Sequence, residues 1–302
     1  MASLQLPDSL VSVDWLRQHL DHENLIVLDS SWHMPATGRD GFEEWRQEHI
    51  PGARFFDFDG KISDPDSELP HMMPSEAIFT REMQALGVNQ DSVVVVYDSM
   101  GMFSSPRGWW MLRAMGCVNC ALLDGGLVAW DEVEFPIESL PPEPAYERGN
   151  FVAKMNPEYI ADAQAVLAAL DDDSICVVDA RPVARFSGAA EEPRPGLRRG
   201  HMPGAVNLPF PEVFKHGLLK PKDELRELIV PLIGAGERSI YSCGSGVTAC
   251  VVAFAAQHIG YAKLAIYDWP FMTAPGASGA GPLNYRWLPT SLNISPIKRA
   301  NP

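Results

Sequence analysis

The sequence predicts an α/β protein of two tandem domains, each a parallel sheet flanked by helices. Short apolar strands alternate with helical stretches along the chain, which is the pattern of βαβ units. Motifs then recur at an offset of about 150 residues, which is too long for a solenoid repeat and suits a duplicated domain. The length of 302 residues allows two such domains, each able to bury its own core.

Six strands and seven helices are predicted. The strands are Leu25–Leu28, Val93–Tyr97 and Cys120–Leu123 in the N-terminal half, and Ile175–Val178, Ser239–Ser242 and Leu264–Tyr267 in the C-terminal half. The helices are Val13–Asp21, Phe42–Glu48, Ser75–Leu86, Pro106–Met115, Pro157–Leu170, Lys222–Leu232 and Thr248–His258. We expect any small-molecule site in the cleft between the domains, at the carboxyl ends of the strands.

Composition divides the chain into four parts. Residues 1–130 form the first domain and residues 157–268 the second, while residues 131–156 are rich in proline and glutamate and are predicted to be a linker. Residues 269–302 contain no Asp or Glu, but six prolines and three glycines. This composition predicts a disordered tail that is foreign to the fold. The alternative is a divergent extension that packs on the second domain.

The strongest internal repeat surrounds a His-x-Pro-Gly motif. His49-Ile-Pro-Gly-Ala in the first half returns as His201-Met-Pro-Gly-Ala in the second, each after an apolar strand that ends in aspartate. The next strand is followed by Asp98 in the first half and by Cys243 in the second. One domain therefore has a cysteine where the other has a carboxylate. Because the histidines occur in both copies, we expect them to position loops.

Cys243 is predicted to stand at a strand-to-helix turn, in the loop Cys243-Gly-Ser-Gly-Val-Thr248. A cysteine there lies under backbone N–H groups and at the positive end of a helix dipole, and both favour the nucleophilic thiolate. Gly244 and Gly246 permit the backbone to curl around the sulfur. A buried core cysteine after a strand is the alternative that so short a motif leaves open.

These features together resemble the two-domain rhodanese superfamily of sulfurtransferases. The resemblance runs from about Val11 to Asp268 and is closest to the members that use 3-mercaptopyruvate, because thiosulfate-specific relatives place basic residues where this loop has Gly244 and Ser245. The other motifs that carry it are Arg39-Asp40, His49-Ile-Pro-Gly52, Phe55-Phe-Asp-Phe-Asp59, Trp109-Trp110, Leu123-Asp-Gly-Gly126 and Glu192-Pro-Arg-Pro-Gly196. A phosphatase with a Cys-x5-Arg loop is disfavoured by Ala249.

The resemblance implies that sulfur passes from 3-mercaptopyruvate to a persulfide on Cys243 and then to cyanide, a small thiol or thioredoxin, with release of pyruvate. It implies no metal and no organic cofactor. Arg185 and Arg194 match the arginines that hold the substrate carboxylate and carbonyl, a role that suits the planar guanidinium. The substrate loop comprises Gly244, Gly246, Val247 and Thr248. The remaining arginines nearby, Arg181, Arg198 and Arg199, are expected on the surface or in salt bridges.

Two residues match further family positions. Ser245 would relay a proton to or from the substrate thiol, and Asp59 of the first domain would work with that serine across the cleft. His71 matches a family histidine near the cleft. Two other functions share this fold and remain open at this point: a thiosulfate:cyanide sulfurtransferase, and a non-catalytic rhodanese-like module that binds a partner or senses redox state.

Composition bounds the partners and the compartment. A net charge of −15 argues against nucleic acid and anionic membranes as partners. No targeting or membrane-spanning segment is visible, and an odd count of five cysteines suits a reducing compartment, so we expect a cytoplasmic protein. Cys117 and Cys120 form a lone Cys-x-x-Cys, which argues against a zinc site. They are expected to be incidental thiols, with a redox accessory role as the alternative.

Overall fold

The computed structural model describes residues 4–139, 146–170, 172–193, 199–234 and 238–268. Arg194, Arg198 and the predicted tail 269–302 lie outside these residues. The elements of the first half are β1 (Leu10–Val11), α1 (Val13–His19), β2 (Leu25–Asp29), α2 (Gly41–Gln47), β3 (Arg54–Phe55), α3 (Glu76–Ala85), β4 (Val93–Tyr97), α4 (Ser105–Ala114), β5 (Cys120–Leu123) and α5 (Gly126–Glu132).

The second half begins with a short 3₁₀ helix, Pro157–Tyr159. Its elements are β6 (Ile160–Ala161), α6 (Ala163–Leu170), β7 (Ile175–Asp179), α7 (Val183–Phe186), β8 (Val206–Asn207), β9 (Phe214–Lys215), β10 (Leu218–Leu219), α8 (Lys222–Ile233), β11 (Arg238–Ser242), α9 (Val247–His258) and β12 (Leu264–Tyr267). Strands β9 and β10 form a small antiparallel hairpin.

The two halves have the same sheet. The first is ordered β1-β5-β4-β2-β3 and the second β6-β12-β11-β7-β8, and every pairing within these two sheets is parallel. The register extends the duplication to individual residues, because Asp29 pairs with Tyr97 as Asp179 pairs with Ser242. Asp98 and Cys243 directly follow these paired positions. The predicted α/β class and the two tandem domains are confirmed.

All six predicted strands are present, and their apolar runs are explained by burial. Strands β2 and β4 are buried along their whole length, because helices cover both faces of a parallel sheet. The edge strands β1, β3, β6 and β8 were not predicted, since each has only two residues.

The predicted helix Pro157–Leu170 is wrong in its first half. Ile160 and Ala161 instead form β6, which pairs with the end of β12. The helix starts afterwards, where the Asp162 carboxylate accepts the N–H of Ala165 at 2.8 Å. Ile160 and Ala161 therefore belong to an edge strand, and the Asp162 that follows them caps the helix.

The domains meet through α4 and α9, and both helices are almost entirely buried. The Trp109 ring meets the Phe254 ring edge-on at 4.8 Å between centroids, and one apolar core runs through both domains. Burial on all sides explains why the sequence of α9 is apolar almost all round, whereas α4 includes the buried Arg107. In the part of the chain that the structure describes, no helix is long and apolar enough to span a bilayer.

Candidate functional site

Cys243 lies between the middle strand of the second sheet and the interface helix. It directly follows β11 and is buried, and α9 begins four residues later at Val247. Gly246 stands immediately before the helix with a φ of +78°, a left-handed conformation that favours glycine. The predicted strand–cysteine–glycine loop–helix arrangement is therefore present, and the loop opens at the carboxyl edge of the sheet.

Arg185 lies against this loop. A Cβ at position 244 would be 3.0 Å from Nη2 of Arg185, so a larger residue there would shift the guanidinium by a few tenths of an ångström. Nε and Nη2 of Arg185 both donate to the carboxylate of Glu192, whose side chain is 2% exposed. Glu192 thus aims the guanidinium at the loop. Glu192 was quoted only as part of a motif, and its role was missed by the sequence reasoning.

Arg181 supports the same carboxylate from behind. Its Nη1 lies 2.8 Å from Oε1 of Glu192, and its Nε lies 3.0 Å from Oδ1 of Asp179. Arg181 is buried, so the salt-bridge expectation holds for it and the surface expectation does not. Arg199 is exposed and pairs with Glu191.

Asp59 and His71 of the first domain form a pair. Nε2 of His71 lies 2.8 Å from Oδ1 of Asp59, and Nε1 of Trp32 donates to Oδ2 at 3.1 Å. The contact with His71 holds the pKa of Asp59 below its ordinary value, against the opposing effect of burial. Within the described residues, no hydrogen bond joins Asp59 to Ser245, which is half-buried in the loop.

The remaining loop residues begin α9. Val247 is its first residue and is buried, and Thr248 follows half-buried. Cys250, one turn further, donates its thiol to the Gly246 carbonyl at 3.0 Å. Burial raises the pKa of the Cys250 thiol well above its ordinary value, which favours the neutral thiol at this position.

Arg107 and Asp268 also reach the loop, and neither was predicted as a site residue. Arg107 belongs to α4 of the first domain, and its Nη2 lies 2.8 Å from Oδ1 of Asp268, which follows β12 of the second domain. The only sequence signal was an arginine inside the apolar stretch Pro106–Met115. Its partner is remote in the sequence and could not be named from it.

Asp98 occupies in the first domain the position that Cys243 has in the second. Its carboxylate accepts three backbone N–H groups, from Met100 at 2.8 Å, Ser104 at 2.9 Å and Ser105 at 2.7 Å. A loop at this edge of the sheet thus collects N–H donors around a negative charge. The predicted replacement of the cysteine by a carboxylate is confirmed in position.

The first domain also repeats the guanidinium–carboxylate pair. Nε and Nη2 of Arg39 donate to Glu44 at 2.7 and 2.8 Å, as Arg185 donates to Glu192. A cavity of about 350 Å³ lies beside this pair and includes Asp29 and Ser99 in its wall. In this domain Asp98, and not a cysteine, stands at the position of Cys243.

The other predicted residues have structural contacts. Nδ1 of His49 lies 2.7 Å from the Trp45 carbonyl, and Nδ1 of His201 lies 2.8 Å from the Phe186 carbonyl, as expected of histidines that position loops. Cys117 and Cys120 are free and buried. No group of three or more potential metal-ligating side chains occurs in the described ranges.

Comparisons with known proteins agree with this geometry. The family profile described as Rhodanese-like domain matches residues 12–133 and again residues 162–271. The 3-mercaptopyruvate sulfurtransferase of Escherichia coli strain K12 is 41% identical over 262 residues, which are 85% of this chain and 92% of that protein. The rat (Rattus norvegicus) enzyme of the same name is 40% identical over 278 residues, 89% of this chain and 92% of the relative.

A solved structure gives the same result for the fold. The crystal structure of SseA from Escherichia coli, described as having the rhodanese fold of 3-mercaptopyruvate sulfotransferases, matches with a TM-score of 0.79 at 38% identity. The match covers 88% of this chain and 100% of the SseA chain. Both the profile and these relatives span most of the chain, and the chain therefore belongs to the rhodanese family.

Proposed function

We propose that the chain is a sulfurtransferase that moves sulfur from 3-mercaptopyruvate through a persulfide on Cys243 to a thiophilic acceptor. The observation that carries the proposal is the position of Cys243, at the end of β11 and the start of α9, with the Arg185 guanidinium against its loop. The relatives that bear the name 3-mercaptopyruvate sulfurtransferase support this choice of donor.

The substrate side is proposed to consist of Arg185 and Arg194. A guanidinium binds the carboxylate and carbonyl of a 2-oxo acid through two parallel hydrogen bonds. Glu192 leaves part of the Arg185 fork available, because it engages Nε and Nη2 and the side chain remains 21% exposed. The loop Gly244–Ser245 adds no positive charge, which suits a monoanionic oxo acid better than the thiosulfate dianion.

In the proposed reaction the Cys243 thiolate attacks the sulfur of 3-mercaptopyruvate. The carbon–sulfur bond breaks, its electron pair leaves with carbon as pyruvate enolate, and Cys243 keeps the transferred sulfur as a persulfide. A proton converts the enolate to pyruvate. A cyanide, thiol or thioredoxin thiolate then attacks the outer sulfur and regenerates the Cys243 thiolate. The loop N–H groups at the start of α9 stabilise the negative sulfur.

The proton is proposed to move through Ser245, with Asp59 as the group that assists it from the first domain. The contact between Asp59 and His71 supports this, because it holds the Asp59 carboxylate beside a segment whose backbone contacts Arg107 and Asp268. We also propose that the protein acts in the cytoplasm and that neither nucleic acid nor membrane is a partner, in line with the net charge of −15.

The test is mass spectrometry of the chain after incubation with 3-mercaptopyruvate. One sulfur atom should add to Cys243 in the wild type and none in Cys243→Ser. The half-buried Cys176 provides a matched control, because Cys176→Ser should accept sulfur as the wild type does. Persulfide on another cysteine, or turnover by Cys243→Ser, would contradict the mechanism.

A second measurement separates the donors. Pyruvate release from 3-mercaptopyruvate and thiocyanate formation from thiosulfate should be compared on the same preparation. The proposal expects the first activity to exceed the second. The opposite order would identify a thiosulfate:cyanide sulfurtransferase, and the absence of both would leave a non-catalytic module.

A further inference from the structure

We propose that Arg107, a residue of the domain without the nucleophile, is a positioning residue of the sulfur-transfer site. Together with Asp268 it holds the Gly246 end of the active loop (residues 243–248) against the His71 segment (residues 71–73). This inference rests on the proposed function for its kinetic consequences. Its structural basis is a set of contacts that converge on one guanidinium, which no motif of the sequence had indicated.

Arg107 lies at the domain interface. It is 0% exposed, and its guanidinium lies over the Trp110 ring at 4.7 Å from the centroid. Burial disfavours the charged form, but Asp268 and the Cys250 sulfur together outweigh it and hold the pKa of Arg107 above its ordinary value. A full positive charge from the first domain is therefore kept inside the interface.

Arg107 also contacts the active loop. A Cβ at position 246 would lie 2.8 Å from Nη1 of Arg107 and 3.4 Å from Oδ1 of Asp268. The backbone of Gly246 thus rests directly on the ion pair. The loop has no cationic residue of its own between Cys243 and Thr248. Arg107 therefore supports the turn that presents Cys243, and its guanidinium is nearer to Gly246 than the Asp268 carboxylate is.

Arg107 and Asp268 both contact the His71 segment. Nη2 of Arg107 donates to the His71 carbonyl, and Oδ2 of Asp268 accepts the Met73 N–H at 2.9 Å. His71 has a φ of +67°, a conformation that a histidine adopts only when its surroundings hold it. Its imidazole contacts Asp59. The ion pair therefore fixes both the loop that carries the nucleophile and the segment that carries His71.

These contacts give the nucleophile-free domain a direct part in the site. The fork of Arg107 reaches Asp268 and His71 through Nη2 while Nη1 faces Gly246, and a lysine ammonium cannot make all of these contacts from one position. Arg107→Lys should accordingly keep the charge but lose the geometry. The substrate-binding Arg185 is held by Glu192 and should not be affected.

The test uses two variants. One is Arg107→Lys, and the other, called the neutral pair, is the double variant that combines Arg107→Met and Asp268→Asn and so leaves no unpaired buried charge. Arg54→Lys is the matched control, since Arg54 is a partly buried arginine of the same domain that donates to the Leu86 carbonyl. Both test variants should lower kcat for 3-mercaptopyruvate by about 10- to 100-fold, because small displacements of reacting groups cost that much. KM should change less than about threefold, and the control should change neither constant.

A second readout needs no substrate. Alkylation of Cys243 by anionic iodoacetate and by neutral iodoacetamide reports the loop directly. The neutral pair should slow the reaction with iodoacetate more than that with iodoacetamide, whereas a merely structural role would leave the ratio of the two rates unchanged. Where the neutral pair does not fold, Arg107→Lys should still slow both reactions relative to Arg54→Lys.

Folded variants with wild-type kcat and a wild-type alkylation ratio would overturn the proposal, as would a change confined to KM. Failure of the proposed function is a separate outcome. If the wild type does not use 3-mercaptopyruvate but the alkylation ratio falls in the neutral pair, the donor is wrong and the role of Arg107 stands.

Discussion

Replacement of Asp29 by asparagine should change how the stability of the protein depends on pH. Asp29 and Asp179 occupy equivalent positions in the two domains. Asp179 contacts the guanidinium of Arg181, whereas the residue that corresponds to Arg181 in the first domain is Ser31. Burial raises the pKa of Asp29 to about 7 from its ordinary 3.8, although hydrogen bonds from Ser31 and Tyr97 oppose the shift. Among the described residues, no cation pairs with Asp29.

The direction in which stability changes with pH follows from the number of protons that the folded and unfolded states bind. Between pH 3.8 and about 7 the folded protein keeps a proton on Asp29 that the unfolded chain has released, so stability falls as the pH rises through this range. With about 1.4 kcal/mol per pKa unit, the cost is about 2 kcal/mol at pH 5 and about 4 kcal/mol at pH 8. An asparagine side chain cannot ionise, so Asp29→Asn should gain about 2–3 kcal/mol relative to the wild type between these two pH values.

The assay is equilibrium unfolding in urea, followed by tryptophan fluorescence, at pH 5 and at pH 8. Asp91→Asn, at an exposed aspartate of the same domain, is the control and should leave the pH dependence unchanged. If the stability difference between Asp29→Asn and the wild type is the same at both pH values, Asp29 is ionised in the folded protein throughout, and the reasoning is wrong.

Three further substitutions test the active loop. Gly246→Ala should cost about 1–2 kcal/mol of stability through its left-handed backbone, and should also lower kcat because its Cβ meets Arg107; thermal unfolding and steady-state kinetics report the two effects. Arg185→Ala should reduce kcat/KM for 3-mercaptopyruvate by roughly tenfold or more, since a charged contact is worth about 1.5–3 kcal/mol; an unchanged kcat/KM would remove Arg185 from the site. Gly244→Arg combined with Ser245→Lys should move the ratio of thiosulfate to mercaptopyruvate activity upward, and an unchanged ratio would show that loop charge does not select the donor.

Much of the fold could be predicted because its signals are local. The continuous apolar runs of β2 and β4 are typical of strands buried on both faces, and the repeated His-x-Pro-Gly motif aligned the halves correctly. The same alignment placed Asp98 opposite Cys243. Edge strands such as β6 escaped prediction because two residues carry no periodicity, and what defines them is the register with a distant strand.

The site was predictable in part for the same reason. Cys243 and its glycines form one continuous segment, so their chemistry can be inferred from sequence. The pair Arg107–Asp268 joins two domains, and Glu192 acts by orienting Arg185, so neither role is visible until the chain is folded. Arg194 lies outside the described residues, and its role stays a prediction.

Under the proposed mechanism, the presence of Asp98 in place of a cysteine limits how much sulfur the chain can carry. Because the Asp98 carboxylate is tethered to the loop whose N–H groups it occupies, its high effective concentration favours it over free anions for those donors. Duplication therefore doubled the scaffold without doubling the number of loading positions. If the proposed mechanism holds, a fully loaded preparation should carry one sulfane sulfur per polypeptide, and that sulfur should lie in the second domain.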